Sequence, residues 1–127
     1  MNNARIERTV GEMKKLGLSQ LMVTDSDSIL YYTGIWNSPF ERFWGLLIRE
    51  DGKHVLFANK LFRLKPVDFE VKIFDDVDPL TEVVCPYLQP GPFGVDGNMA
   101  SRFLIPFMEA VPGLKPVLAQ RDRKSVV

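Results

Sequence analysis

The segment Tyr31-Tyr32-Thr33-Gly34-Ile35-Trp36-Asn37-Ser38-Pro39-Phe40-Glu41-Arg42 puts four aromatic rings, a guanidinium, a carboxylate and a turn glycine into twelve residues. Aromatic side chains and arginine dominate binding hot spots, and loops carried on a rigid sheet are common places for function. Tyr31, Tyr32 and Trp44 read equally well as core aromatics, and Glu41-Arg42 as a solvated pair. Trp36 and Arg42 lie on the loop side of Gly34, which favours a binding role for them. Asp75, Asp76 and Asp78 form a second cluster; carboxylates so grouped can take Mg²⁺ or Ca²⁺, but helix caps and solvated turns produce the same run. The chain has one histidine, His54, and one cysteine, Cys85, so Cys-His and poly-His chemistry have almost no material. His54 follows the turn-like Glu50-Asp51-Gly52-Lys53 and reads as a surface residue beside a hairpin. Cys85 adjoins Val83 and Val84 and reads as packed rather than reactive. No G-x-S-x-G, H-E-x-x-H, Walker or G-x-G-x-x-G pattern occurs. No catalytic residue and no metal ligand is assigned.

The elements that must position the 31–42 segment follow from hydrophobic spacing. Ile6, Val10, Met13 and Leu16 recur at helical intervals among charged residues, which predicts a helix over 4–16 ended by Gly17. Leu21-Met22-Val23 predicts a buried strand. Asp25 is placed to cap a short helical stretch through 28–32, and Gly34 breaks it. Two apolar runs, 43–49 and 54–57, flank Asp51-Gly52, the strongest hairpin signal in the chain. Val71 to Phe74 predicts a further strand. Asp78-Pro79 looks like a helix start, with the acid as cap, leading into a helix over 80–88 that Pro86 shortens or kinks. Phe93 to Val95 and Pro116 to Leu118 predict short strands on either side of a helix over 100–110 interrupted by Pro106. Helix–strand alternation around one hairpin predicts a three-layer α/β/α domain on a mixed, mostly parallel sheet.

Composition narrows the function classes. Sixteen basic and sixteen acidic side chains cancel, which argues against nucleic acid and the membrane surface as partners. No apolar run approaches the roughly 18 residues of a membrane span. The polar start of the chain shows no signal peptide, and a single cysteine fits a reducing, cytoplasmic setting. With 127 residues, the chain has the length of one domain able to bury its own core.

Arg5 and Arg8 in the first helix, a strand ending at Thr24-Asp25, the Tyr31-Tyr32-Thr33-Gly34 segment and Glu41-Arg42 before the next strand follow one another in a specific order. In that order the chain resembles the amino-terminal domain of the creatinase/prolidase family, which includes Xaa-Pro dipeptidases and Xaa-Pro aminopeptidases. Tyr32 and Ile35 stand where leucine and phenylalanine are usual. The tail Arg121-Asp122-Arg123-Lys124-Ser125 is similar to the family's entrance to its catalytic domain. The resemblance implies a ribonuclease H-like fold over residues 1–120, with 121–127 the start of a linker. It implies that chemistry belongs to a carboxy-terminal domain absent from this sequence, where two divalent ions (Mn, Co or Zn) activate a water. No cofactor is then expected within this chain. The expected partners are the chain's own catalytic domain and a homodimer partner, over whose active site the loop after Thr-Gly reaches. By this resemblance Trp36, Asn37, Ser38, Phe40, Glu41 and Arg42 form a substrate-gating loop. Arg42 would clamp a substrate carboxylate bidentately, and Trp36 or Phe40 would wall out water. Two alternatives stay open: a stand-alone module binding a small acidic ligand or peptide through residues 31–42, and the same domain in a creatinase-like amidinohydrolase.

Overall fold

The computed structural model describes residues 1–121 together with 124 and 125. Helix α1 (Asn3–Lys15) leads to β1 (Gln20–Val23) and α2 (Ser26–Thr33). The hairpin β2 (Gly45–Arg49) and β3 (Val55–Asn59) follows, then β4 (Val71–Phe74) and α3 (Leu80–Val84). The chain continues through β5 (Gly91–Val95), α4 (Ser101–Ala110) and β6 (Leu114–Leu118). A two-residue pair, β7 (Gln120–Arg121) and β8 (Lys124–Ser125), lies apart from the main sheet. Asp122 and Arg123, from the basic tail motif, lie outside the described residues.

The six-stranded sheet has the order β4-β3-β2-β1-β5-β6. β1 is parallel to β5, β5 to β6, and β3 to β4, while β2 is antiparallel to both of its neighbours. Alternate side chains of each inner strand serve opposite cores, as the period-2 geometry of a strand demands. Leu21, Val23, Leu46, Ile48, Leu56 and Ala58 pack against Ile6 and Met13 of α1 and Ile29 and Tyr32 of α2. Met22, Leu47, Val55, Phe57, Phe93 and Val95 pack against Val83 and Val84 of α3 and Phe107 of α4. A helical layer therefore covers each face, as the sequence predicts. With both faces buried, the inner strands read as continuous apolar runs rather than alternating ones.

Several boundaries differ from the sequence-based expectation for identifiable reasons. Asp78 does not cap α3: its carboxylate accepts the Asp75 N–H and closes the preceding turn, and Pro79 holds the cap position without a side-chain bond. Pro86 ends the helix early, turning residues Cys85–Tyr87 into a 3₁₀ turn. Pro106 does not interrupt α4, which runs unbroken through it. Pro116 sits in β6, an edge strand, where a missing N–H donor is tolerated. α2 is longer than the expected brief turn because Asp25 accepts the Ser28 N–H as its cap and Thr33 returns a bond to the Ile29 carbonyl.

Two polar contacts tie β1 to β5 at the ends of their ladder. Asp96, 3% exposed at the end of β5, accepts the Thr24 N–H (2.7 Å), the Thr24 hydroxyl (2.6 Å) and the Asp25 N–H (2.8 Å). Buried Gln20 donates to the Gln89 carbonyl and accepts the Gln89 N–H, extending the β1–β5 pairing beyond its backbone ladder. At the hairpin, His54 Nδ1 accepts the Arg49 N–H at 3.0 Å, and burial pushes the imidazole below its usual pKa. The ring is half-buried and part of the hairpin closure, not the surface residue the sequence suggested.

Asp96→Ala strands two backbone N–H groups and a hydroxyl, and is expected to cost about 2–4 kcal/mol. A urea midpoint equal to that of the parent protein would show that these bonds carry no net stability. The unfolded chain takes up the His54 proton before the folded one does, because the folded pKa is depressed. That contribution to stability is therefore complete above about pH 7 and declines as pH falls through about 6.5. His54→Asn should flatten the stability slope between about pH 7 and pH 5; an unaltered slope in urea titrations at stepped pH would refute the linkage.

Candidate functional site

The carboxyl ends of β1 and β5 lie side by side, and the chain leaves them toward opposite helical layers, α2 on one face and α4 on the other. Open α/β sheets bind ligands at such a reversal of strand order. Here the reversal is held by Asp96. By engaging the backbone of Thr24 and Asp25 it leaves the Asp25 carboxylate to cap α2, accepting the Ser28 N–H and hydroxyl. α2 then ends at Gly34, whose φ of 78° is the left-handed C-cap conformation that suits glycine. Asn98 donates from its side chain to the Thr24 carbonyl and fixes the turn between β5 and α4.

From Gly34 the chain crosses the rim as an irregular loop to Gly45. Tyr32 and Thr33 are buried. Tyr32 packs in the core with its hydroxyl 2.6 Å from that of Thr9, and burial pushes its pKa up. Tyr31 is partly exposed and lies under the Arg5 guanidinium, which also donates to the Tyr31 carbonyl. These two tyrosines therefore anchor α2. Trp36 and Phe40 point outward instead, 58% and 87% exposed, and Phe40 has a φ of 56°, uncommon for a side chain of its size. Asn37 is half-buried, and its side-chain N–H₂ has no acceptor among the described residues; Ser38 is exposed. Beyond the loop Phe43 and Trp44 return to opposite cores. Gly45 permits this, since a Cβ there would meet the Phe43 ring at 2.7 Å.

The structure brings Arg42 and the acidic cluster together across 34 residues of sequence. Arg42 donates to both carboxylate oxygens of Asp76, from Nε at 3.1 Å and from Nη2 at 3.0 Å. Asn59, at the end of β3, donates to the same carboxylate at 2.6 Å. The guanidinium and the amide hold the Asp76 carboxyl below the usual carboxylate range. Asp75 is lowered by a bond from Lys60, 2.6 Å away, and Asp78 closes the turn. The cluster is thus taken up by cations and turn donors. Among the described residues no group of three or more His, Cys, Asp or Glu side chains converges as metal ligands would. Cys85 is half-buried with its thiol pKa raised by burial, the state of an unreactive thiol.

Between the loop and the start of α4 lies a crevice of about 220 Å³, lined by Thr24, Arg42, Trp44, Asn98, Arg102 and Phe103 among others. Glu41 contributes its backbone here, its carbonyl accepting from Arg102 Nη2 at 3.1 Å. Asp96, Asn98 and Arg102 were not singled out from sequence. Asp96-Gly97-Asn98 carries only a turn signal, and Arg102 is one polar position in an amphipathic helix. Among the described residues no helix is long and apolar enough to cross a membrane.

Residues 5–119 match the family model described as the Creatinase/Prolidase N-terminal domain. An uncharacterised peptidase of Staphylococcus aureus (strain USA300) is 33% identical over 57 residues, a stretch covering 45% of this chain but 16% of that relative. The creatinase/prolidase N-terminal domain of an X-Pro dipeptidase from Streptococcus pyogenes superposes with a TM-score of 0.77 at 18% identity, covering 90% of this chain and 99% of that one. A dipeptidase from Pyrococcus horikoshii OT3 superposes with a TM-score of 0.80 at 16% identity, covering 90% of this chain and 33% of that one. At such identities the structural likeness establishes the fold. With residues 5–119 of its 127 matched, the chain belongs to the creatinase/prolidase N-terminal domain family.

Proposed function

We propose that this chain serves as the non-catalytic amino-terminal domain of an Xaa-Pro dipeptidase-like metallopeptidase of the cytoplasm. In that role it supplies dimer contacts and a loop that closes over the partner's active site. Hydrolysis would be carried out by a separate catalytic domain through two divalent ions, Mn, Co or Zn. The observation that carries the reading is the loop from Gly34 to Arg42. It presents Trp36 and Phe40 to solvent on a backbone that is pinned rather than loose. A large ring held outward in the left-handed region is a locally costly arrangement, and it repays that cost where another surface covers it. Arg42 is already bidentate to Asp76, so its part in gating is to fix the loop, with Asp76 and Asn59 as the anchor.

The chain alone, supplied with Mn²⁺, Co²⁺ or Zn²⁺, is expected to release no proline from an Xaa-Pro dipeptide. Metal-dependent turnover by the purified chain would overturn the proposal. In a full-length enzyme carrying this domain, Phe40→Ala and Trp36→Ala should each lower kcat/KM by about tenfold, the equivalent of losing one aromatic contact worth about 1.4 kcal/mol. Asp76→Ala should act in the same direction by releasing Arg42. Three variants with parental kcat/KM would remove the loop from the site.

A further inference from the structure

The two arginines that line the crevice are not equivalent. Arg42 is neutralised by Asp76. Arg102 has no ion-pair partner among the described residues: its guanidinium lies 4.6 Å over the Phe103 ring and donates from Nη2 to a neutral acceptor, the Glu41 carbonyl. A guanidinium has five N–H donors, so most of Arg102's remain available. It stands in the first turn of α4, a ten-residue helix whose cap position is Ala100 and which no side chain caps. The first N–H groups of such a helix lack intrahelical acceptors and favour negative charge. Trp44, which lines the same crevice, is 2% exposed, and its indole N–H has no acceptor among the described residues. Asp96, the nearby buried acid, is occupied by three donors from the β1–α2 turn.

We infer that the crevice between the loop and α4 is a binding site for a small carboxylate, with Arg102 as the residue that pairs with its charge. The fork of a guanidinium matches the two oxygens of a carboxylate. Phe40, Phe43 and Phe103 line the crevice as well and offer apolar contact to the group that bears the carboxylate. The volume, about 220 Å³, is below the range of about 300–1,000 Å³ common for drug-sized ligands, which limits the occupant to one residue-sized acid or the end of a peptide. The inference assigns carboxylate pairing to Arg102, whereas the family resemblance suggested Arg42 for the carboxylate of a substrate. It does not depend on the gating role proposed above, since it concerns this chain alone.

The test is an amide NMR titration of the 127-residue chain with phenylacetate, using phenylacetamide as the uncharged counterpart. Phenylacetate should give saturable shifts confined to Thr24, Asn98, Ser101, Arg102 and the loop, in the millimolar range, and phenylacetamide should not. Arg102→Gln should weaken binding about tenfold or more, as expected for losing a charge-assisted pair. Arg102→Lys should fall between the two, and Arg8→Gln, an exposed charge on α1 outside the crevice lining, should bind within about threefold of the parent, roughly 0.65 kcal/mol. Each variant is first compared with the parent spectrum for native dispersion. No saturable shift, equal shifts with phenylacetamide, or undiminished binding by a folded Arg102→Gln would each overturn the inference.

Discussion

The carboxylate of Asp96 is the constraint on which the rim of this domain depends. A buried acid is tolerated only when its oxygens are fully engaged, and here the three donors all come from the turn between β1 and α2. That arrangement ties β5 to β1 at the point where the sheet reverses its strand order. It also fixes the direction in which the chain leaves β1, so that Asp25 can cap α2 and Gly34 can end it. The loop from Gly34 to Arg42 starts from a position set by that chain of contacts. Without Asp96, the sheet could keep its hydrophobic ladder but lose a defined start for the loop.

At its other end the loop is held by a surface cluster rather than a buried one. Exposed ion pairs contribute little individually. The Arg42–Asp76 contact differs in being bidentate and in sharing its carboxylate with Asn59. Three parts of the chain meet there: the loop, the end of β3 and the turn before α3. The contact specifies position more than it adds stability. It holds Phe40 outward in a strained conformation and keeps Arg42 from competing for any ligand of the crevice. The arginine on α4 contacts a ring and a carbonyl and has no ion-pair partner among the described residues.

One histidine and one cysteine leave this chain few side chains of catalytic type. The matched stretch of the Staphylococcus aureus relative is 16% of that protein's length. This chain covers 33% of the superposed dipeptidase from Pyrococcus horikoshii OT3, which is about three times as long as the matching region. The polar contacts of this domain's rim gather around the loop and the start of α4.

The layered fold was legible because it rests on local spacing. Ile6, Val10 and Met13 mark the face of α1, the apolar runs mark the strands, and Asp51-Gly52 marks the hairpin. Asp25 and Gly34 mark the ends of α2 because a cap and a left-handed residue are chemistry of a single turn. Asp78 misled for the same reason, since an acid before proline suits a cap or a closed turn equally well, and the fold selected the turn. Sequence also singled out the segment that forms the loop, while the structure decided that Trp36 and Phe40 are its outward aromatics. What it could not contain were contacts across long separations: Asp96 with Thr24 over 72 residues, Arg42 with Asp76 over 34, and Arg102 with Glu41 over 61. Each joins one ordinary polar residue to another, and nothing in either neighbourhood signals the partner. Helix and strand identities follow from short-range periodicity and were the sequence's own to determine. Which arginine is neutralised by a carboxylate and which has no ion-pair partner among the described residues depends on how distant segments pack, and only the tertiary structure decided it.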